Sequence, residues 1–235
     1  MLFRILSGFL GLAALSVGAA DILKDSQATA NRLIHSATNS TFGFNRLATM
    51  CDTFGPRFSG SPNLEKAIDW CLAQMKKDGF TNVHGEEVTV PHWVRGKESA
   101  TLLKPRARAL PMMGLGGSVG TPRKGIMAEV LVVKSFDDLK AKATRAKGKI
   151  VLFNLPFTEY RETVIVRRMG AIEAAKAGAV ASLIRSVGPF SMQTPHTGNM
   201  SYDEKVKRIP HAALSVEDAM MLARMQERRE PIHIE

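Results

Sequence analysis

Thr53–Asp78, TFGPRFSGSPNLEKAIDWCLAQMKKD, holds a helix end, a stiff turn and a helix start in one run. Phe54 closes one apolar stripe, and Gly55-Pro56 stops that helix, because Gly tolerates the left-handed cap and Pro cannot continue the hydrogen-bond ladder. Ser61 is placed to cap the next helix, with Pro62 in its first turn, where a missing N–H costs nothing. Leu64, Ala67/Ile68, Cys71/Leu72 and Met75 then recur at the three-and-four spacing of a buried face, while Lys66, Asp69, Gln74 and Lys77 take the wet side. Asp78-Gly79 ends the helix. The run predicts two amphipathic helices on a rigid connector, shaped to lie on something larger.

Upstream, Ile22, Ala30, Leu33/Ile34 and Ala37 predict a first helix over 22–38, and Phe44, Leu47, Met50/Cys51 and Phe54 predict the second over 42–54. Downstream the period changes. Phe80, Val83, Val88 and Val90 alternate with polar residues and read as strand, turn and strand, with a boundary near Arg95. From Gly96 short β-runs take over: Leu102-Leu103, Ala109–Met113, Ala128–Val133, Lys149–Asn154, Val180–Arg185, Arg208–Leu214 and Ile232–Ile234. Between them lie helical stretches at Asp137–Lys147, Thr163–Ala177 and Ser215–Arg228. The alternation predicts a mixed α/β fold.

The first twenty residues read as a secretory signal peptide: Arg4 is their only charge, Ile5–Val17 is apolar, and Val17-Gly18-Ala19-Ala20 offers small residues for cleavage. That apolar run is too short for a spanning helix, which needs about 20 residues, and no later segment qualifies. Of the 32 Lys and Arg, Arg4 leaves with the leader, so 31 stand against 22 Asp and Glu, a net charge of +9. A secreted destination and sparse aromatics argue against nucleic acid. The cluster Lys140, Lys142, Arg145, Lys147, Lys149 reads as a solvated helix face and loop. Cys51 and Cys71 sit on neighbouring helical stripes. In an oxidising compartment they can pair, or remain two buried free thiols packing as small hydrophobes. Asn39-Ser40-Thr41 and Asn199-Met200-Ser201 are glycosylation sequons on Asn39 and Asn199.

Chemical motifs are few. Gly116-Gly117-Ser118-Val119-Gly120 matches G-x-S-x-G, but a nucleophile elbow needs a helix directly after it. Thr121-Pro122-Arg123-Lys124-Gly125 is loop, so a flexible surface loop is expected, and no phosphate cradle, for want of the same helix. The six histidines, His35, His84, His92, His196, His211 and His233, form no H-E-x-x-H, H-x-x-E-H or H-x-D pattern and no zinc spacing. His84 and His92 flank the expected hairpin, and His211 follows Pro210 in a strand. His196, in Thr194-Pro195-His196-Thr197-Gly198, is the candidate for lining a ligand cleft. No catalytic or metal residue is assigned.

Several stretches together carry a resemblance. Arg46-Leu47-Ala48-Thr49, Gly55-Pro56-Arg57, Ser59-Gly60-Ser61 and Asn63-Leu64-Glu65-Lys66-Ala67-Ile68 resemble the carboxypeptidase Q family. So do Ala128–Val133, Gly148-Lys149-Ile150-Val151, Ala174-Ala175-Lys176-Ala177-Gly178 and Pro195-His196-Thr197-Gly198. The resemblance implies a secreted or lysosomal zinc exopeptidase of dipeptides or short peptides. Its two metal ions sit in an α/β catalytic domain, and it works as a homodimer. It further implies that residues 21–95 open the catalytic domain and that 96–235 form an inserted protease-associated domain. In that family the metal ligands and catalytic glutamate follow the inserted domain, and this sequence reaches Glu235 before any of them. The expectation is therefore an N-terminal fragment without zinc and without activity of its own. The alternative is a secreted binding module that engages peptides or pairs with a full-length relative.

Overall fold

A computed structural model of the chain describes Lys24 and residues 26–235; the expected signal peptide lies outside the described residues. Two compact units result, one ending at His92 and the other running Trp93–Glu235.

The first unit carries α1 (residues 26–38), α2 (Phe42–Phe54) and α3 (Pro62–Lys77). The cap chemistry is as its residues dictate. Gly55 takes φ +60 and returns its N–H to Cys51 O, and Ser61 Oγ accepts from Leu64 N at 3.3 Å. Phe54 meets Trp70 at 5.9 Å between ring centroids, and Arg46 pairs with Asp78, which ties α2 to the end of α3. Yet only Ala67 is buried among the described residues of this unit. Phe44 is 74% exposed and Leu47 57%, and Leu33, Ile34, Ile68 and Met75 are open as well. Phe80–Val90 forms no strand, and Phe80, Val88 and Val90 stay exposed, contrary to the alternation of their sequence. An isolated two-stranded ribbon with nothing to pack on is marginal in water, so periodicity alone does not build it.

The second unit is one eight-stranded sheet. Its strands are β1 (Thr101–Lys104), β2 (Arg108–Ala109), β3 (Met112–Gly114), β4 (Ala128–Val133), β5 (Ile150–Phe153), β6 (Ala181–Arg185), β7 (His211–Leu214) and β8 (His233–Ile234), in the order β2-β1-β8-β4-β5-β6-β7-β3. β4 to β7 run parallel and the flanking strands antiparallel. The expected strand Ala109–Met113 is broken at Leu110-Pro111. Pro111 has no N–H for a ladder, and the chain changes neighbour there, from β1 to β7. β2 and β3 are thus opposite edges of the sheet, although Ala109 and Met112 can be at most about 11 Å apart. The sheet curls until its edges nearly meet.

Helices α4 (Phe136–Ala141), α5 (Ala143–Ala146), α6 (Tyr160–Thr163), α7 (Ile165–Lys176) and α8 (Val216–Glu227) fill in the layers. The expected single helix over 137–147 is two, turning at Lys142, whereas that over 163–177 forms as α7, entered from the short α6 through Val164. Val130, Val132, Leu152 and Leu183 face Ala219, Leu222 and Met225 of α8. The alternate residues Leu131, Val133, Val151, Phe153 and Ile184 face Val166, Ala171 and Ala174 of α7 and Leu139 of α4. Burial on both faces explains the unbroken apolar runs of AEVLVV and IVLF.

His211 lies inside this packing, 1% exposed. Its Nδ1 is 3.2 Å from Ser182 O, which can only accept, so Nδ1 carries the proton; Nε2 has no partner. Burial holds the ring's pKa down to about 4 from the usual 6.5. The unfolded chain therefore takes up a proton between those values that the native fold excludes, and stability falls as pH drops through that window by roughly 3 kcal/mol. His211→Asn keeps a donor toward Ser182 and removes the titration. Urea midpoints followed at Trp93, in a Trp70→Phe background, are expected to lose most of their slope against pH in that variant.

Candidate functional site

In open α/β sheets ligands gather beyond the carboxyl ends of parallel strands. Here the segments after β5, β6 and β7 supply Tyr160, the loop 186–200 and the start of α8 respectively. Ser186 Oγ donates to Leu214 O at 2.6 Å and accepts from His196 N–H at 2.8 Å, which fixes the His196 backbone. Arg167, 8% exposed, donates to Tyr160 Oη at 2.7 Å and to Thr197 O at 3.2 Å; its Nε has no partner. Gly198 lies against the guanidinium so closely that a Cβ there would be 2.7 Å from Arg167 Cζ. His196 itself is exposed, its ring 6.4 Å from that of Tyr160. It thus sits on a loop held from beneath by Arg167 and from behind by Ser186.

The other end of the loop is held by Glu217, in the first turn of α8. Its carboxylate accepts from Ser191 Oγ at 2.7 Å and from the N–H groups of Met192 at 2.9 Å, Gln193 at 3.2 Å and Ser191 at 3.3 Å. These bonds, the Ser191 hydroxyl's first, bring the carboxyl down to about 2. Met192 and Gln193 hold φ of +47 and +61, left-handed values uncommon outside glycine. Next door, buried Asp218 pairs with Arg108 at 2.8 Å and accepts from Ser215 Oγ at 2.8 Å.

A second feature surrounds β3. A cleft of about 750 Å³ is lined by Trp93, Lys97, Glu98, Met112, Ser118 and Lys124, among others. Trp93 Nε1 donates to Ser118 O at 3.1 Å, and the Arg95 guanidinium lies 4.9 Å from the Trp93 ring. Arg95 donates to Gly114 O at 2.8 Å, while Glu98 accepts from Gly114 N–H at 2.9 Å.

The structure separates the remaining sequence candidates. The loop with Ser118 is tied down, not flexible. Gly116 exchanges bonds with Gly198 and Met200, Val119 N–H donates to Tyr202 Oη, and Ser118 Oγ accepts from His211 N–H and donates to Val119 O. No histidine ring is bonded to that hydroxyl and no helix follows it, so the arrangement of a serine nucleophile is not formed among the described residues. Cys51 and Cys71 are free thiols. Cys51 is exposed and not packed as a small hydrophobe; Cys71 is half-buried. Asn39 is exposed at the end of α1, its amide on His35, and Asn199 is exposed where it bridges Gly116. His84 and His92 are exposed and His211 is structural. No group of three His, Cys, Asp or Glu side chains that could hold a metal gathers among the described residues, and none of their helices is long and apolar enough to cross a membrane. Sequence reasoning passed over Arg167. Its signal is positional, a charge on the 163–167–170–174 stripe that packs against the sheet.

Over 191 residues the chain is 53% identical to carboxypeptidase Q of Mus musculus, a match covering 81% of this chain and 41% of that relative. A solved peptidase M28 precursor from Shewanella amazonensis has a TM-score of 0.82 and 35% identity, covering 88% of this chain and 49% of that one. The chain is carboxypeptidase Q-like. It spans about two fifths of the length of the carboxypeptidase Q relative it matches. A zinc aminopeptidase from Bacillus subtilis shares the fold at a TM-score of 0.58 and 23% identity, over 82% of this chain and 42% of that one. No family model matches the chain.

Glu217→Gln removes the charge that gathers Ser191, Met192 and Gln193. Faster proteolytic cleavage near exposed Phe190 and Met192, read by mass spectrometry, is the expected result, by roughly the tenfold of a lost charge-assisted bond. In the unaltered chain that anchor is fully present above the carboxyl's ordinary 4.5 and is lost only as pH falls through about 2. A fluorophosphonate probe is expected to leave Ser118 unlabelled.

Proposed function

We propose that this chain supplies two parts of a zinc exopeptidase of dipeptides or short peptides, secreted or lysosomal: the opening of its catalytic domain, residues 21–95, and an inserted protease-associated domain, residues 96–235. The 53% identity with carboxypeptidase Q carries this reading. Two features of the fold support the division of labour. The apolar faces of α1, α2 and α3 stand open, as faces made to lie on a larger sheet would. Each large side chain left there forgoes about 1.5–3 kcal/mol of burial. In the second unit, Thr101 N–H donates to Glu235 O at 2.8 Å and Glu235 N–H to Thr101 O at 3.0 Å, so β1 and the residue after β8 lie side by side, an arrangement compatible with the proposed insertion.

In such a peptidase two zinc ions activate a water and steady the developing oxyanion. No described residue of this chain is assigned to those ions. What the chain contributes is scaffold and cover: apolar helix faces to brace the catalytic sheet, and a tied loop that holds His196 exposed.

The test is complementation. Residues 21–235 co-expressed with the remaining length of the Mus musculus relative are expected to yield a soluble complex whose dipeptide hydrolysis a chelator abolishes. Residues 21–235 alone are expected to show no such turnover. Chelator-sensitive hydrolysis by this polypeptide alone, or failure of the two pieces to associate, overturns the proposal.

A further inference from the structure

The free edge of β3 is guarded at some positions and open at one. Register with β7 turns Met113 and Leu115 toward that strand and leaves the N–H and C=O of Met112, Gly114 and Gly116 pointing outward. Gly116 is satisfied by Gly198 and Met200. Gly114 is satisfied by side chains: its N–H lies on the Glu98 carboxylate at 2.9 Å and its C=O on Arg95 at 2.8 Å. Met112 has no partner on its outer side among the described residues. One outward N–H and C=O left open on a strand edge can seat a single paired residue of another extended chain.

This edge forms a wall of the 750 Å³ cleft, and the charge around it is net positive. Of the two lining carboxylates, Glu98 is already held by Arg95 at 2.8 Å, and Glu235 alone stands against three cations. Lys97, Arg123 and Lys124 are exposed along the cleft, and none is paired with a carboxylate among the described residues. A concave surface with apolar walls, here Trp93, Met112 and Ile126, concentrates the field of such cations. Glu98 shows the chemistry in miniature: a carboxylate seated on a backbone N–H of the β3 edge and oriented by a guanidinium.

We propose that this cleft docks an extended, acidic peptide segment, which pairs its backbone with the outer edge of β3 and sets Asp or Glu side chains on Lys97, Arg123 and Lys124. The edge selects peptide over other polyanions, because the Met112 C=O asks for an N–H donor that a sulfated glycan or a nucleic-acid backbone does not present in register. The docking site does not rest on the peptidase reading, and its assay involves no turnover.

The experiment is fluorescence anisotropy on the full chain with a short labelled peptide alternating Glu and Val. Its controls are a Gln-for-Glu counterpart, a Glu peptide N-methylated at alternate residues, and a heparin oligosaccharide. The Glu peptide is expected to bind at micromolar levels, and the Gln and N-methylated peptides at least about tenfold more weakly. Combined Lys97→Glu, Arg123→Glu and Lys124→Glu substitution is expected to cost the Glu peptide a similar factor. Lys140→Glu with Lys147→Glu, which reverses a basic cluster elsewhere, is expected to leave it unchanged; circular dichroism checks that both variants fold. Equal binding of the Gln or N-methylated peptide overturns the proposal. So does an equal loss in the Lys140/Lys147 variant, or heparin binding that needs the cleft cations while the peptide does not.

Discussion

Helix α7 can settle on β5 and β7 because residue 170 has no side chain. A Cβ on Gly170 would lie 3.0 Å from Cε1 of His211 and 3.3 Å from Cδ2 of Phe153, closer than side chains pack. That close approach brings Val166, Ala171 and Ala174 onto the sheet. It sinks Arg167 deep enough to reach Thr197 and Tyr160 and thereby to hold the loop that carries His196. The position of an exposed loop histidine thus depends on a glycine inside the core.

The same unit shows how a curled sheet manages its edges. Full closure would leave no edge, but β2 and β3 stay unpaired with each other and each is very short. Short edges limit unwanted pairing to the few residues they expose. β3 is covered further by the 198–200 segment at Gly116 and by the Arg95–Glu98 pair at Gly114. That pair also fastens the first residues of the unit, from Trp93 onward, along the cleft. In the first unit nothing comparable happens, and the described helices leave their apolar stripes open.

Much of this was legible in the sequence, and the limits follow from range. Fully buried parallel strands show as apolar runs, so AEVLVV, KIVLFN and the stretch before Ser186 declare themselves locally. The Ser61 and Ser215 caps likewise act within three residues of their donors, the N–H groups of Leu64 and Asp218. Phe80–Val90 has the right alternation for strands, but a strand also needs a neighbour, and local periodicity carries no information about one. The break at Leu110-Pro111 is decided by β1 and β7, which lie far apart in sequence. The candidate site was the least legible part. His196 stands out between Pro and Gly, but Arg167 reaches its neighbour Thr197 across 30 residues and Glu217 gathers residues 24 to 26 positions upstream. No spacing rule connects those groups; only the parallel strands that bring their loops to one end of the sheet do.

The confined imidazole has a consequence for observation. With its proton on Nδ1, directed at Ser182, and Nε2 without a hydrogen bond beside Gly170 and the Val166 and Arg167 backbone, His211 is buried away from bulk water. Its two ring nitrogens should therefore resonate far apart in a nitrogen-15 spectrum, one as an amine-like and one as a pyridine-like signal. Collapse of that separation would announce that α7 has lifted from the sheet, giving the molecule an internal gauge of its own packing.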